Sequence, residues 1–484
     1  MSFSDYFLWI SGGLVWVNIF LGILLIFFER RDPTSTWLWI MILTFLPGIG
    51  FILYLFIGQD LSKQRLFKVK EEEDACFRGI AIKQKEQLER GDFHYVNPLF
   101  RKYEDHIKLH LRNSEAYFTQ DNSVELLFSG KEKFESLLAS INKAEKYIYM
   151  EYYIFNSDSI GMKVIDAMCR KASEGIAVKL LVDGMGGRGL SKRAIAKLRG
   201  SGVSVAIFFP PFVPWLSIRL NYRNHRKICI IDGKEAYLGG FNIGDEYLGR
   251  TKRFGNWRDT HIRIKGSAIS SLEWRFFLDW RFAAKEEIQP CVPNLNQGED
   301  SGNIGIQIVS SGPDSRWPRV KDGYLKMILD AEKKIYIETP YFIPDDSIYD
   351  SLRLAGLSGL DVRVMIPSKP DHPFVYWAGM SYIGGLLEAG VKFYAYEKGF
   401  LHSKVLIADD FVSSVGTANL DIRSFKLNFE VNAFIYDKIT NQMLTERFIN
   451  DLGKSKEITL ESYKKRSKGT KIKESVSRLL SPLL

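Results

Sequence analysis

The pattern H-x-K-x4-D-x6-G-[GT]-x-N occurs twice in this chain. The first copy is His225, Lys227, Asp232, Gly239, Gly240 and Asn242; the second is His402, Lys404, Asp409, Gly416, Thr417 and Asn419. Brought to one point, the copies supply two imidazoles, two ammonium groups and two amides. That set can displace a group at a phosphodiester through a covalent histidine intermediate, with no metal or organic cofactor in the scheme. One imidazole attacks phosphorus while the other protonates the departing alkoxide, then acts as base toward an acceptor hydroxyl. Lysines and asparagines neutralise charge on the equatorial oxygens, each preorganised donor being worth ~3–4 kcal/mol of barrier. The repeated spacing sets His225 and His402 apart from His94, His106, His110, His261 and His372, which read as ordinary core or surface histidines.

These side chains need strands to aim them. Residues i and i+2 of a strand face the same side, so His225 and Lys227 point together, as do His402 and Lys404. The apolar runs Ile228–Ile231 and Val405–Ile407 carry each strand into a core, and Asp232-Gly233 and Asp409-Asp410 read as turns. Asp232 and Asp409 belong to the catalytic motif, but their odd offset from the histidine suits a structural role. On the returning strand, small residues at Gly240 and Thr417 allow backbone N–H groups to approach a phosphate, and Asn242 and Asn419 add an amide donor. A nucleophilic histidine also needs an acceptor for its other ring nitrogen. Asp259 and Glu430 follow their motifs at similar distances and are the expected supporting acids, with Glu151 and Glu338 as lesser candidates.

The motifs sit inside a longer duplication. Ala144–Glu151 matches Ala331–Glu338, Gly175–Val182 parallels Gly359–Ile366, and Gly202-Val203 and Gly390-Val391 each introduce a strand that leads into the motif. Both halves therefore read strand, helix, strand, helix, strand, motif. A period this long excludes a solenoid and predicts an α/β domain written twice: a mixed sheet flanked by helices with a pseudo-two-fold. The expected divisions are 116–288 and 304–460, joined by a polar linker at 289–303. Residues 60–115 form a connecting segment and 461–484 a basic tail.

Of 484 residues, 46% are hydrophobic and 25% charged, the balance of a folded chain rather than a disordered one. Residues 1–59 differ from the rest. The runs 6–28 and 37–58 are each long enough for a helix to cross a bilayer core of ~30 Å, which predicts a transmembrane hairpin with a loop at Glu29–Thr36. No basic n-region precedes the first run, which argues against a cleaved signal peptide. Arg30 and Arg31 lie in the loop, whereas Lys63, Arg65, Lys68 and Lys70 follow the second span. This bias places the main body on the cytoplasmic side of a cell membrane. A net charge of +9 suits an anionic partner, and with the hairpin that partner is lipid rather than nucleic acid. The tail, with Lys464, Lys465, Arg466, Lys468, Lys471 and Lys473 ahead of an apolar end, reads equally as a strip for an anionic leaflet or as a frayed terminus. The Pro-broken aromatic stretch Phe208–Leu216 reads either as an interfacial or acyl-lining segment or as a buried loop. Cys76, Cys169, Cys229 and Cys291 show no paired spacing.

The two motifs resemble those of the phospholipase D superfamily. With Arg30–Pro33, Asn224–Lys227, Trp257–Asp259, Ser311–Asp314 and the Leu480–Leu484 end, the chain is similar within it to the bacterial cardiolipin synthases. The resemblance implies a phosphatidyl transfer in which two phosphatidylglycerol molecules give cardiolipin and glycerol, His225 carrying the phosphatidyl group and His402 acting as acid and base. Chemistry alone leaves the nucleophile open, because the halves are equivalent. Gly240 and Thr417 stand where the superfamily often has serine; at Gly240 only backbone N–H remains for a phosphate. The alternatives are a phospholipase D that transfers to water, a phosphatidylserine synthase, a superfamily nuclease, and a membrane scaffold on a dead fold. The hairpin disfavours the nuclease, and complete motifs in both halves disfavour the scaffold. Gly184–Gly189 formally matches G-x-G-x-x-G, but the following strand ends at Phe208-Phe209-Pro210 without the acid a dinucleotide site needs.

Overall fold

The structure is a computed structural model. It describes residues 33–46, 48–50 and scattered positions between 13 and 54, then 75–210, 222–286 except 252, and 302–481. Two compact units are present: 1–71 with 211–222, and 72–210 with 223–484.

The larger unit holds both motif copies. In the first, strands Tyr147–Tyr152, Ala177–Asp183 and Ser204–Phe208 pair in parallel. Lys227–Ile231, Glu235–Gly239, His261–Lys265 and Thr119–Leu127 continue the sheet antiparallel. The second copy repeats this order: Lys334–Glu338, Asp361–Pro367 and Lys392–Tyr396 are parallel, followed antiparallel by Val405–Ala408, Val412–Gly416, Asn428–Tyr436 and Ile304–Ser311. Thr119–Leu127 pairs with Ile304–Ser311, so the two copies share one mixed sheet. The duplication expected from sequence is therefore present, element for element.

Local rules explain the crossovers. Ser159–Ser173 forms the expected helix, capped by Asp158, whose carboxylate accepts from the Gly161 N–H at 3.1 Å. It buries Ile160, Val164, Ala167 and Met168 against the sheet at helical spacing. Helix Gly130–Lys143 opens on a capping box between Ser129 and Glu132. Each copy has its own core, one around Ile148, Met150, Leu180 and Cys229, the other around Ile335, Val364, Phe393 and Leu406.

Three expectations need correction. Part of the expected connecting segment is structural, because Leu88, Phe100, Ile107 and Leu111 lie in the core of the second copy. Of the two readings of the basic tail 461–484, the frayed terminus gives way, because helix Lys468–Leu479 packs on helix Pro373–Glu388. Residues 33–36 of the expected loop Glu29–Thr36 belong instead to helix Pro33–Phe45, with proline in its first turn where no N–H is required, and 29–32 lie outside the described residues.

In the smaller unit, Trp39 and Leu43 of that helix pack with Tyr54. The expected span 6–28 falls largely outside the described residues and residues 211–216 of the aromatic stretch wholly outside them, whereas 37–58 is described at 37–46, 48–50 and 54. No helix among the described residues is long and apolar enough to cross a membrane. Cys169 and Cys229 are buried free thiols.

Candidate active site

Each motif histidine is delivered by a short strand that pairs with the opposite copy. Arg223-Asn224 pairs with Asn428-Phe429, and the His225 N–H donates to the Phe429 carbonyl at 3.0 Å. Phe400-Leu401 pairs with Trp257-Arg258, and the His402 N–H donates to the Arg258 carbonyl at 2.7 Å. The pairing crosses the supporting acids between copies. His225 Nδ1 lies 2.9 Å from Glu430 Oε1, and His402 Nδ1 lies 2.7 Å from Asp259 Oδ2. A carboxylate only accepts, so Nδ1 of His225 carries the proton and its Nε2 keeps a lone pair for phosphorus; at His402, Nδ1 lies between Asp259 and Lys404 Nζ, the latter at 2.8 Å.

The electrostatics join the motifs into one site. Burial pushes the His225 pKa down to about 4, against the pull of Glu430, and both Lys227 and Lys404 push it further down. His402 is likewise held at about 4 by burial and Lys404, with Lys227 of the other motif contributing. Burial brings Lys227 to about 7 and Lys404 to about 8, even though Glu430 and Asp259 favour the charged forms of both. Burial would raise Glu430, but His225 and Lys227 hold it below its usual value. Lys227 Nζ donates to the His225 carbonyl at 2.5 Å, and Lys404 Nζ makes the matching bond to the His402 carbonyl. The outcome is two neutral imidazoles, 9% and 8% exposed, beside two lysines whose charged forms burial disfavours. An anion entering this site relieves the lysines and raises both histidine pKa values.

Other motif residues take different roles from those expected. Asp232 accepts from the N–H groups of Glu145, Lys146 and Tyr147, and Asp409 from those of Glu332, Lys333 and Lys334. Each sits at the far end of its strand from the histidine, seven residues on and so ~23 Å away at ~3.3 Å per residue, so neither is catalytic. Asp232 (φ 55°) and Gly233 (φ 64°) turn the hairpin in the left-handed region, as an Asp-Gly pair favours.

Gly240 and Thr417 are also not phosphate ligands. Their N–H groups are already donated, to Thr260 O and Val431 O, both at 3.0 Å. A Cβ on Gly240 would lie 2.0 Å from Asp259 Oδ1, so the missing side chain makes room for the acid. Thr417 Oγ1 accepts from the Val431 N–H at 2.9 Å and donates to the Val431 carbonyl at 3.3 Å. Asn242 bridges Ile154 N–H and Tyr247 Oη, and Asn419 donates to Asp421. Each amide thus retains at most one hydrogen for a substrate oxygen.

Glu151 accepts from Asn224 Nδ2 at 2.6 Å, and burial with nearby Asp279 lifts its pKa to about 8, so it is neutral at pH 7. Glu338 binds Arg258 at 3.0 Å. His261 is buried with neither ring nitrogen hydrogen-bonded, a core residue as read from sequence.

Sequence reasoning missed the anchors behind this layer. Arg226 binds Asp279 at 2.6 Å, and Arg258 binds Asp451 at 2.5 Å, each between fully buried groups. The signal was a second repeat, Phe276-x-x-Asp279 and Phe448-x-x-Asp451, an acid on the apolar face of each copy's last long helix. Tyr153, whose ring stands edge-on to His225 at 5.0 Å, carried no signal beyond its strand. In the glycine-rich loop, Asp183 accepts from the N–H groups of Met185 and Gly186, a tight turn rather than a nucleotide cradle.

This fold and this crossed pair of H-x-K motifs place the chain in the phospholipase D superfamily. The family model "Cardiolipin synthase, PLD-like domain" matches 137–258 and 324–452, and a "Phospholipase_D-nuclease N-terminal" model matches 16–59. The chain is 48% identical to the major cardiolipin synthase ClsA of Bacillus subtilis, over 97% of both chains. It is also 48% identical to the cardiolipin synthase of Listeria innocua, over 97% of this chain and 98% of that one. The crystal structure of a Haemophilus influenzae phosphatidylserine synthase shares the fold, with a TM-score of 0.59 at 16% identity, covering 78% of this chain and 100% of that one. Within the superfamily, the chain belongs to the cardiolipin synthase family.

Proposed function

We propose that the protein is a phosphatidyltransferase that joins two phosphatidylglycerol molecules into cardiolipin with release of glycerol. The observation that carries this reading is the reciprocal pairing of His225 with Glu430 and of His402 with Asp259, in a chain matching cardiolipin synthases over nearly its full length. In the first step His402 enters as the imidazolium, having taken up a proton at Nε2 when the bound phosphodiester raises its pKa; His225 Nε2 attacks phosphorus, and the bond to the head-group glycerol breaks as His402 gives its Nε2 proton to that oxygen. In the second, His402 takes the proton from the head-group hydroxyl of another phosphatidylglycerol. That oxygen attacks phosphorus, and the P–N bond breaks to free His225. Lys227, Lys404 and the remaining amide hydrogens of Asn242 and Asn419 bind the phosphoryl oxygens, while Asp259 and Glu430 hold the rings.

The catalytic copies run 116–288 and 304–460. Residues 6–28 and 37–58 form a membrane hairpin, a reading supported by their apolar length and by the N-terminal family match at 16–59. The basic residues after the second span favour a cytoplasmic catalytic unit of a multi-pass membrane protein. Purified protein given labelled phosphatidylglycerol in detergent micelles with a chelator should form cardiolipin and free glycerol in equal amounts. Phosphatidic acid as sole product would make it a hydrolase instead.

A further inference from the structure

Helix Lys468–Leu479 is mounted the wrong way round for a helix facing water. At 100° per residue, Thr470, Glu474, Ser477 and Ser481 share one face, and Glu474, Ser477 and Ser481 are buried against the body. Ile472, Val476 and Leu479, at i, i+4 and i+7, share the opposite face and are 64%, 53% and 73% exposed. Arg466 pairs with Glu474 at 3.2 Å, Tyr463 Oη donates to the Met380 carbonyl at 2.8 Å, and Lys473 and Arg478 lie over the rings of Trp377 and Tyr382. These contacts fix the rotation. Each aliphatic side chain left outside forgoes the favourable burial of its apolar surface, so a water-facing helix would gain by turning half a revolution.

We infer that this outward face is a docking surface for an anionic lipid bilayer, with Ile472, Val476 and Leu479 entering the interface. The charge around it selects that occupant. Residues 461–481 carry seven basic side chains, Lys464, Lys465, Arg466, Lys468, Lys471, Lys473 and Arg478, against Glu461 and Glu474. Lys471 and Arg478 flank the apolar stripe on one side and Lys473 on the other, where lipid phosphates would meet them. A second copy of the chain fits poorly. Like charges would face each other, and three aliphatic side chains fall well short of the ~800 Å² per partner of a stable interface. The inference rests on the reading of the substrate as an anionic phospholipid, and gives the catalytic unit its own contact with the surface that holds it.

The test uses the full-length protein with an environment-sensitive fluorophore on Val476→Cys. Phosphatidylglycerol vesicles should shift its emission to the blue and protect it from aqueous iodide, while phosphatidylcholine vesicles should do neither. The variant Ile472→Asp/Val476→Asp/Leu479→Asp should raise KM for phosphatidylglycerol in vesicles at least ~10-fold while leaving kcat in detergent micelles unchanged. A fluorophore that stays in water on anionic vesicles, or one shielded by raising protein concentration without lipid, would overturn the inference. Cardiolipin formation in micelles is scored separately. A water-exposed label with normal synthesis rejects the docking surface alone, whereas an inserted label without synthesis rejects the enzyme reading alone.

Discussion

The central residues are held in states that cost stability and serve chemistry. His225→Ala and His402→Ala should each lower turnover by at least ~10³-fold without unfolding the protein, since either loss removes a whole proton-transfer or nucleophilic role. A steady-state assay with melting curves checks this. Lys227 gives a signed pH prediction. Its folded pKa, about 7, lies below the ordinary 10.5, so between those values the unfolded chain binds more protons and stability rises with pH. Relative to Lys227→Met, the parent should therefore gain stability from pH 7 to pH 10.5, read as converging chemical-denaturation midpoints. His225 and His402, lowered from 6.5 to about 4, act in the same sense between pH 4 and 6.5.

Among the elements, the two-residue strands Arg223-Asn224 and Phe400-Leu401 are short, yet they decide which acid meets which histidine. Glu430→Gln and Asp259→Asn should each cut kcat by about 10²–10⁴-fold with KM within a few fold, because an amide no longer fixes the tautomer. Glu151→Gln should leave kcat nearly unchanged, since that carboxyl is already neutral. Asp451→Ala should destabilise the fold by ~1–3 kcal/mol, because it leaves the buried Arg258 Nε without its acceptor while Glu338 still pairs with the guanidinium. Much of this layer was legible in the sequence: the motif histidines and lysines, the strand–helix order and the helix Ser159–Ser173 all follow from spacing and periodicity. Asp259 and Glu430 were legible as acids, but not their exchange between copies, because that depends on parallel pairing across a distance no local pattern records. Gly240 was read as an opening for phosphate when it is an opening for Asp259, since sequence does not say which group fills the space a missing side chain leaves.

For the whole molecule, the shared sheet makes the two copies one catalytic body. Thr119–Leu127 and Ile304–Ser311 join them edge to edge, and each histidine is completed by the other copy. A protease site engineered into 289–303 should therefore yield a nicked protein whose halves stay together on gel filtration and retain turnover within a few fold. Dissociation with full activity in either half would contradict the shared site. The most direct measurement is trapping of the covalent intermediate. Protein mixed with acyl-labelled phosphatidylglycerol, quenched in denaturant at alkaline pH and digested, should give one phosphatidyl-histidine per chain. The adduct should fall at residue 225, and Glu430→Gln should reduce its yield. Two adducts per chain, one on each motif, or cardiolipin formed with no adduct at either, would contradict the account.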